Sequence, residues 1–332
     1  MKFFQKSTIA LALFIAITVP LAFYQVRFSP LEKLHIDGAT NHSAAANRQA
    51  TNSSKPTYHS YPVFLSVAFR GRLGNQMFEY AAMLGLARQQ GRIPVLQAKT
   101  SLLQQAFNIN KARPLNSSIR LDGWQSFTEA HYGICDRKLS RLPPLNVTLH
   151  GFLQSWKYFA TEEEELRQEF TFKKHVSARA DKLIKEIQQN FPNRSLVGVH
   201  VRRGDFVGQS NAGYISPEAT YYFKAFDRMR AELGRATPVL FVVASNGRDW
   251  CVANLNGSDV HILENEKAEL HLALLARTSN AVISSGTYSW WAGWLTKGKV
   301  IYYSGFPKPG TSLRYHLKPE DYYPPHWIGI GD

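Results

Sequence analysis

Two adjacent arginines follow an apolar stretch near the middle of the chain. Arg202 and Arg203 come directly after a predicted strand at Leu196–Val201, and Asp205 follows two residues later. A guanidinium group binds a phosphate or a carboxylate through paired hydrogen bonds, so two arginines at a strand end suit an anionic ligand. Asp205 could orient an arginine, bind the ligand or accept a proton. The alternative is a plain surface ion pair between Asp205 and an arginine, which contributes under about 1 kcal/mol.

Small hydroxyl and amide side chains follow two later strands of the same region. Ser245 and Asn246 come after one strand, and Ser285 and Thr287 come after another, just before a helical pattern rich in tryptophan. Hydroxyls and free N–H groups at a helix N-terminus bind anions well, so these residues are candidate phosphate or nucleoside contacts. Ordinary helix capping would use the same residues, and both roles stay open.

A third polar group lies near the start of the globular region. The hexapeptide GRLGNQ, residues 71–76, separates a predicted strand from a predicted helix. Two glycines three residues apart permit a tight turn and close backbone approach. The amides of Asn75 and Gln76 offer paired donors and acceptors, which bind sugar hydroxyls. The motif therefore indicates one wall of a polar cleft.

A sheet of parallel strands would bring these groups together. Short apolar runs alternate with helical patterns over the C-terminal region, as in a Rossmann-like fold, whose ligands bind at the carboxyl ends of the strands. The predicted strands are Leu196–Val201, Val239–Ala244, Val260–Leu263, Ala281–Ser284 and Val300–Tyr303. The predicted helices are Pro217–Leu233, Gly247–Asn254, Lys267–Arg277 and Tyr288–Leu295. Trp290, Trp291 and Trp294 are expected to pack in the core.

The preceding region shows a similar but weaker pattern. Its predicted elements are a strand in Pro62–Phe69, a helix at Asn75–Gln90 and strands at Ile93–Leu96 and Val147–Leu153. Thr161 is expected to cap a further helix, because acidic residues follow it and a carboxylate stands at the third helical position. Glu162–Glu165 would then form a solvated first turn.

An apolar segment near the N-terminus predicts a membrane anchor. Residues 7–26 contain no charged residue, and a helix of about 20 residues spans the roughly 30 Å of a hydrocarbon core. Lys2 and Lys6 precede it and favour a cytosolic N-terminus. A cleaved signal peptide is the alternative, but Pro20 suits poorly the position three residues before a cut after Ala22.

The segment after the anchor is polar and poor in apolar residues, which predicts a flexible stem over residues 27–61. A cytosolic tail at 1–6, the anchor, the stem and a luminal domain together form the layout of a type II membrane protein. Six Asn-X-Ser/Thr sequons agree with a luminal location. They are Asn41, Asn52, Asn116, Asn146, Asn193 and Asn256.

The composition narrows the function classes. The chain carries 39 Lys and Arg against 25 Asp and Glu, a net charge of +14, which favours nucleic acid, an acidic membrane or a phosphorylated small molecule. A luminal location argues against nucleic acid, and the aromatic residues lack the spacing of a nucleic-acid recognition motif. The two cysteines, Cys135 and Cys251, exclude a disulfide-dense scaffold; they could form one bridge or remain two thiols.

Four segments together resemble the recurring motifs of the galactoside α-1,2-fucosyltransferases, glycosyltransferase family 11. They are GRLGNQMFEYAAMLGLARQQGR, VGVHVRRGDF, FVVASNGRDWC and LALLARTSNAVISSGTYSWWAGWL, in the order and spacing of that family. The resemblance covers about residues 63–303, nearly the whole globular part. The HVRRGD block alone is shared more loosely with α-1,6- and protein O-fucosyltransferases.

The resemblance implies an α/β, GT-B-like fold with two Rossmann-like halves facing a cleft. Residues 62–192 would form the acceptor side and residues 193–332 the half that binds GDP-fucose. The resemblance also implies a Golgi membrane location. The implied donor contacts are His200, Arg202, Arg203, Ser245, Asn246, Ser285 and Thr287.

The implied reaction moves L-fucose from GDP-fucose to O2 of a terminal galactose on a glycan, with inversion at the anomeric carbon. Arginines and helix N–H groups would stabilise the leaving diphosphate. Asp205 and Glu79 are the candidate bases, a weak or absent base is the alternative, and Asn75 would face the cleft. The resemblance also implies that no metal ion is required, as in other inverting transferases that need no metal, and the sequence agrees in lacking an Asp-X-Asp pair.

Two other functions stay open. An α-1,6- or protein O-fucosyltransferase would use the same donor but should differ in the GRLGNQ and SSGTYSWW motifs. A non-catalytic luminal protein that binds a nucleotide sugar or a glycan would keep the same residues.

Overall fold

The structure is a computed structural model that describes residues 62–97, 101–115, 119 and 121–332. All of these fall within one compact unit, residues 59–332. The predicted tail (1–6), anchor (7–26) and stem (27–61) lie outside the described residues and remain predictions. No helix in the described part is both long and apolar enough to span a bilayer.

Five parallel strands form the first sheet, in the order β3-β2-β1-β5-β4. The strands are β1 (Phe64–Val67), β2 (Ile93–Leu96), β3 (Arg113–Pro114), β4 (Gln125–Thr128) and β5 (Val147–His150). Helix α1 (Leu73–Gln89) connects β1 to β2, and the short α2 (Leu102–Ala106) follows β2.

Two helices, α3 (Glu163–Glu169) and α4 (Lys174–Asn190), lead to a second sheet of six parallel strands. Its order is β11-β10-β9-β6-β7-β8. The strands are β6 (Ser195–Val201), β7 (Val239–Ser245), β8 (Val260–Ile262), β9 (Asn280–Ile283), β10 (Val300–Tyr303) and β11 (Ile328–Ile330). The helices are α5 (Ala219–Leu233), α6 (Arg248–Asn254), α7 (Ala268–Leu275), α8 (Thr287–Leu295), α9 (Ser312–Tyr315) and α10 (Pro319–Tyr322).

The chain order reverses on the two sides of β6. Strands β7 and β8 lie on one side of it, and β9, β10 and β11 lie on the other. Such a switch point opens a crevice outside the carboxyl ends of β6 and β9, where ligands of parallel sheets bind. Arg202 follows β6 and Ser285 follows β9, so the sheet brings together two groups of residues that the sequence separates.

The α/β fold with parallel sheets agrees with the sequence prediction, but three strands have no clear sequence pattern. Strands β3, β4 and β11 are short and largely exposed or half-buried, so they lack the apolar run of a buried strand. The strand predicted at Val147–Leu153 ends at His150. The chain turns there because Gly151 and Leu153 have φ values of +138° and +50°.

The predicted capping of α3 by Thr161 is wrong. The helix begins at Glu163, and Glu162 occupies the N-cap position without a side-chain hydrogen bond to the helix. Glu162 is buried rather than solvated, and its carboxylate lies 3.1 Å from Nη1 of Arg88 on α1. The helix therefore begins one residue later than the capping pattern predicts.

Aromatic side chains join α1 to the second half. Phe78 packs against Trp290 and Trp291 of α8 at ring-centroid distances of 4.6 and 5.1 Å. Both tryptophans are fully buried and Trp294 is 8% exposed, which confirms their predicted place in the core. Fourteen of the seventeen residues of α1 are buried, so this helix is enclosed on all sides rather than along one stripe.

Candidate functional site

A cleft of about 750 Å³ lies at the switch point of the second sheet, and both halves of the structure line it. A cavity of this size accommodates a nucleotide-sized ligand. The first half contributes Gly74, Asn75 and Gln154, and the second contributes Arg202, Asn246 and Thr287.

Arg202 faces this cleft. Its backbone N–H donates to Ser284 Oγ at 2.8 Å, which ties the end of β6 to that of β9. Its Nη2 lies 2.7 Å from Asp205 Oδ1, and its guanidinium lies 4.9 Å from the Phe206 ring centroid. Nε is buried, and no residue in the described ranges accepts its proton. A buried donor without an acceptor costs about 1–3 kcal/mol, so this guanidinium is suited to an anion that enters the cleft.

Arg203 lies outside the cleft lining, which distinguishes the two arginines. Its guanidinium lies 4.1 Å from the Trp250 ring centroid, and Nη1 is 3.5 Å from Glu218 Oε1. Its backbone N–H donates to Asn246 Oδ1 at 2.8 Å. The two side chains therefore differ in position: Arg202 lines the cleft, whereas Arg203 packs between Trp250 and Glu218, and a diphosphate contact by either arginine stays a prediction.

Asp205 lines the cleft and pairs with arginines of both halves. One carboxylate oxygen lies 2.7 Å from Arg202 Nη2, and the other lies 3.7 Å from Arg72 Nη1, just before α1. The side chain is 43% exposed, so it remains accessible to a ligand. The carboxylate therefore connects the two walls of the cleft.

The N-termini of α1 and α8 meet at the cleft. Gly74, in the first turn of α1, is so close to α8 that a Cβ there would lie 2.6 Å from Tyr288 N. Asn75 Oδ1 accepts a hydrogen bond from Thr287 Oγ1 at 2.7 Å. Helix N-termini carry a partial positive charge and unpaired N–H groups. The junction therefore adds positive potential to the edge of the sheet that carries Arg202.

Two of the hydroxyl groups predicted to contact the ligand form hydrogen bonds with the protein backbone. Ser245 Oγ donates to Val201 O at 2.9 Å and accepts from Gly247 N–H at 2.8 Å. Ser285 Oγ donates to Ile215 O at 2.6 Å. Both residues line the cleft, but these hydrogen bonds hold the loops after β7 and β9 in place.

His200 lies in the floor of the cleft and is buried. Its Nδ1 is 2.5 Å from Ser289 Oγ on α8. Burial, helped by the charge of Arg202, holds the pKa of this imidazole well below its ordinary value. The ring is therefore neutral, and it links β6 to α8 beneath the junction of the helices.

Glu79 lies behind the cleft and is fully buried. Both of its carboxylate oxygens accept from the Arg70 backbone N–H, at 3.1 and 3.0 Å. Burial raises the pKa of this carboxyl to about 8, against the lowering effect of that hydrogen bond. The carboxyl holds the loop between β1 and α1, and this placement does not support the expectation that Glu79 acts as the base.

A second buried carboxylate, Glu129, has no clear signal in the sequence. It accepts hydrogen bonds from the backbone N–H groups of Phe152 and Leu153 at 2.5 and 2.9 Å. These residues follow Gly151 in the turn after β5. The positive φ values of Gly151 and Leu153 in this turn cost free energy, so the turn needs stabilising hydrogen bonds. Since Phe152 and Gln154 line the cleft, Glu129 positions one of its walls.

Two buried carboxyls with a raised pKa, Glu79 and Glu129, should contribute to the pH dependence of stability, and Glu129 can be tested by itself. Burial raises the pKa of its carboxyl to about 8 from 4.5, so between these values the folded state holds a proton that the unfolded state has released. The stability that this bound proton contributes is complete below the pKa of the unfolded state and is lost as the pH rises toward 8. The free energy of unfolding thereby falls by up to about 1.4 kcal/mol per pH unit. We expect the unfolding temperature, measured by scanning fluorimetry, to fall from pH 5 to pH 8.5.

Glu129→Gln, which cannot ionise, should reduce that fall in unfolding temperature. Glu164→Gln is the control, since Glu164 is an exposed glutamate in the first turn of α3. The change of unfolding temperature with pH in this variant should match that of the unchanged protein. An unaltered slope in Glu129→Gln would contradict a buried proton at this position.

The sequons lie in different surroundings. Asn193 and Asn256 are exposed, whereas Asn146 is half-buried and its Oδ1 accepts from Phe64 N–H at 2.9 Å. Asn41, Asn52 and Asn116 lie outside the described residues. Glycosylation of all six stays a prediction, and within the described part Asn193 and Asn256 are the most accessible to a glycan.

Both cysteines are free thiols, which decides between the two arrangements that the sequence leaves open. Cys251 is buried and Cys135 is half-buried. Burial raises the pKa of both thiols, which disfavours the reactive thiolate. Within the described ranges, no three His, Cys, Asp or Glu side chains are grouped as a metal ion would require.

Comparison with known proteins relates this chain to a family. The model of glycosyl transferase family 11 matches residues 39–331. Galactoside 2-alpha-L-fucosyltransferase Sec1 of Mus musculus is 32% identical over 275 residues, which cover 80% of this chain and 73% of the mouse protein. Galactoside alpha-(1,2)-fucosyltransferase 1 of Oryctolagus cuniculus is 32% identical over 305 residues, which cover 88% of this chain and 78% of the rabbit protein.

A solved structure shares the fold. The fucosyltransferase NodZ from Bradyrhizobium matches with a TM-score of 0.51 at 15% sequence identity, over 74% of this chain and 97% of NodZ. At this identity the match supports the GT-B-like α/β fold and nothing finer. The family match extends over all of the described elements and the cleft between them. The chain therefore belongs to glycosyl transferase family 11.

Proposed function

We propose that this chain is a galactoside 2-α-L-fucosyltransferase, which transfers L-fucose from GDP-fucose to O2 of a terminal β-galactose on a glycan. The observation that carries the proposal is the position of Arg202. Its guanidinium faces the cleft at the switch point of a parallel sheet, where the N-termini of two helices meet. This arrangement suits a diphosphate. The names of the mouse and rabbit relatives supply the sugar and the linkage.

Acidic and amide side chains elsewhere in the cleft suit a guanine base. Asn246, Asn265, Glu266 and Glu269 line the cleft together with Arg202. Guanine presents an N1–H and an amino group as neighbouring donors, and a carboxylate accepts from both. Adenine has no hydrogen on N1, so a carboxylate in this position would select guanine.

The proposed chemical step is a single in-line displacement. The galactose O2 attacks the anomeric carbon of fucose, the bond from this carbon to the phosphate oxygen breaks, and GDP leaves with the bonding electrons. The β-linked donor thereby becomes an α-linked product. Arg202 and the helix N–H groups bind the charge that grows on the leaving diphosphate, so they lower the barrier.

The acceptor hydroxyl loses its proton during this step. Of the two bases considered from the sequence, Asp205 lines the cleft, and we assign the O2 proton to its carboxylate. Asn75, whose side chain is held by Thr287, is assigned to orienting the galactose hydroxyls. Both assignments use residues at the junction of the two halves, where donor and acceptor must meet.

We further propose that transfer needs no metal ion, because Arg202 and the helix N-termini supply the positive charge that a divalent cation would bring. EDTA in excess of any contaminating metal should leave the initial rate of GDP release within about twofold of its untreated value. Added Mn²⁺ should not raise it. Complete loss with EDTA that Mn²⁺ restores would contradict a metal-free reaction.

We also propose that residues 7–26 anchor the protein in the Golgi membrane, with residues 27–61 as a stem and the catalytic unit in the lumen. The charge-free apolar segment after Lys2 and Lys6 supports this arrangement. The exposure of Asn193 and Asn256 is compatible with glycosylation in that compartment.

The experiment that tests the function is a transfer assay on the full chain in detergent. GDP-fucose and GDP-mannose are each offered with lactose, and the linkage of any product is determined by NMR. We expect an α-1,2-fucosylated galactose with GDP-fucose and no product with GDP-mannose. A different linkage, or transfer only to a glycopeptide, would favour the α-1,6- or protein O-linked alternative. Tight GDP binding without transfer to any acceptor would favour the non-catalytic alternative.

A further inference from the structure

The amino edge of the first sheet presents apolar and basic side chains together, and none of the roles assigned above uses them. We call this surface the basal face; it consists of Trp124, Arg137, Lys138, Arg141 and Leu145. Leu145 is 50% exposed, the three basic residues are exposed and Trp124 is half-buried. A large apolar side chain left open to water beside several cations commonly marks an interaction surface.

The apolar residues of the basal face meet at the amino ends of β1, β2 and β5. Phe64 N–H donates to Asn146 Oδ1 at 2.9 Å, and the Phe64 ring stacks on that of Trp124 at a centroid distance of 6.0 Å. Arg92, just before β2, donates from Nη1 to Leu145 O at 2.8 Å. Trp124 and Leu145 therefore lie on either side of the first residue of β1.

The basic residues are held at the same edge by the end of α1. Residues Arg137–Arg141 form a short 3₁₀ helix. Gln90, which follows α1, donates from Nε2 to Leu139 O at 2.9 Å, and its Oε1 accepts from Leu142 N–H at 3.0 Å. The basal face therefore has a fixed shape before any partner binds.

Positive charge dominates the exposed part of this surface. Arg137, Lys138 and Arg141 have no ion-pair partner among the side chains that the structure describes. Asp136 is half-buried and caps the short helix by accepting from Lys138 N–H at 3.0 Å. Three exposed cations thus accompany one exposed acid, Asp122, so the basal face suits an anionic partner.

The place where the chain enters the unit indicates which partner this is. Pro62 lies two residues before β1, so residues 1–61, which contain the proposed anchor, join the unit at the amino edge of the first sheet. Tryptophan rings favour the headgroup level of a bilayer, and lysine and arginine bind anionic headgroups. A surface of these residue types beside the anchored end of the chain fits a lipid surface.

We propose that the basal face docks the unit on anionic lipid headgroups of the membrane that holds the anchor. This inference depends on the proposed anchor and goes beyond the transfer reaction. Helix α1 runs from the cleft to the basal face, and its 17 residues span about 25 Å. Docking therefore keeps the cleft at about that distance from the lipid, where soluble glycans and glycoproteins reach it.

The test is hydrogen–deuterium exchange on the full chain in nanodiscs of phosphatidylcholine, with or without about 30 mol% phosphatidylglycerol. We expect backbone amides in residues 137–145 to exchange at least about fivefold more slowly in the anionic nanodiscs, since one basic residue at such a surface strengthens binding by about that factor. NaCl at about 0.5 M should remove most of the difference, because salt screens the charges. Exchange in residues 202–209, at the cleft, should be the same in both nanodiscs.

Two variants of the basal face test its residues directly. A triple variant, Arg137→Gln with Lys138→Gln and Arg141→Gln, should exchange at the same rate in both nanodiscs. Leu145→Gln should reduce the difference, since this exposed side chain no longer enters the headgroup layer. Fucose transfer to lactose in detergent should stay at the rate of the unchanged protein in both variants.

Matched controls remove the same charge or the same apolar exposure elsewhere. Lys174→Gln, Lys185→Gln and Lys224→Gln together remove three exposed cations from α4 and α5. Val252→Gln replaces an apolar side chain that is 46% exposed on α6. Both controls should keep the slower exchange of residues 137–145 in anionic nanodiscs.

Equal exchange of the unchanged chain in the two nanodiscs, or slow exchange that the triple variant retains, would overturn the inference. A glycan on Asn146, detected by peptide mass spectrometry, would also overturn it, since a glycan at this edge would hold the basal face away from lipid. The anchor fails separately, if alkaline carbonate extracts the unchanged chain from vesicles. Sedimentation with anionic vesicles then decides the inference, since the unchanged chain should bind them and the triple variant should not.

Discussion

Arg202→Ala is expected to lower kcat/KM for fucose transfer by about 10²–10³-fold, the usual effect of removing one donor to a developing negative charge. The guanidinium faces the cleft, and no described residue accepts the proton of its buried Nε. The leaving diphosphate would therefore lose the positive charge that the wall of the cleft supplies. Steady-state kinetics with GDP-fucose and lactose measure the loss, and calorimetry should show weaker binding of GDP.

Arg203→Ala is the matched control, since the two residues are neighbours with the same charge. Alanine keeps the backbone N–H that orients Asn246. It removes the contact with Trp250 and the ion pair to Glu218, worth about 0.5–1 kcal/mol at a partly exposed site. We expect a lower unfolding temperature and a loss of activity below about tenfold. Equal losses of activity in the two variants would contradict the separate roles.

Gly74→Ala is expected to reduce transfer at least about 10²-fold, because an error of about 1 Å in the placement of reacting groups has an effect of that size. The new Cβ would lie 2.6 Å from Tyr288 N and 2.9 Å from Thr287 C. Both are backbone atoms, so the N-termini of α1 and α8 must move apart. The hydrogen bond between Asn75 and Thr287 would then lengthen, and the residues on the two walls of the cleft would no longer be aligned.

Two further variants make the Gly74 experiment decisive. Gly257→Ala places its Cβ 3.4 Å from the Asp259 side chain, an ordinary contact on the surface, and should keep the rate and the unfolding temperature of the unchanged protein. Thr287→Val removes the donor to Asn75 without crowding the junction and should lower the rate in the same direction as Gly74→Ala. Full activity in both Gly74→Ala and Thr287→Val would show that the junction does not position the site.

The second sheet and the residues at the carboxyl ends of its strands can be predicted from the sequence because β6, β7 and β9 are buried on both faces. Strands of this kind give uninterrupted apolar runs, and the residues that end each run, such as Arg202 and Ser285, then fall at the edge where ligands bind. Exposed strands such as β4 have no comparable pattern. The strands with a continuous hydrophobic signal are therefore predictable, whereas β3, β4 and β11 are not.

The direction of individual side chains was harder to predict. Successive side chains of an extended strand point to opposite faces of the sheet, which would place Arg202 and Arg203 on opposite faces. The backbone leaves the extended conformation at Arg203, where φ is −124° and ψ is −117°. The two-residue period of a strand therefore does not predict the direction of either side chain. Glu79 lies on a helix that is buried on all sides, and such a helix has no polar face from which to infer direction. Glu129 is buried through contacts with a turn 23 residues away in the sequence. A local sequence pattern cannot predict a contact over that separation.

The enclosure of α1 bears on how such a protein can evolve. The helix belongs to the first half by its place in the chain, yet Phe78 packs into the aromatic core formed by Trp290 and Trp291. Recombination that joined the second half to a different partner would leave those indoles facing water unless the new partner brought a helix of the same shape. We therefore expect the two sheets to be inherited as one unit, and sequence changes that alter the ligand to fall in the loops at the cleft rather than to replace a whole half.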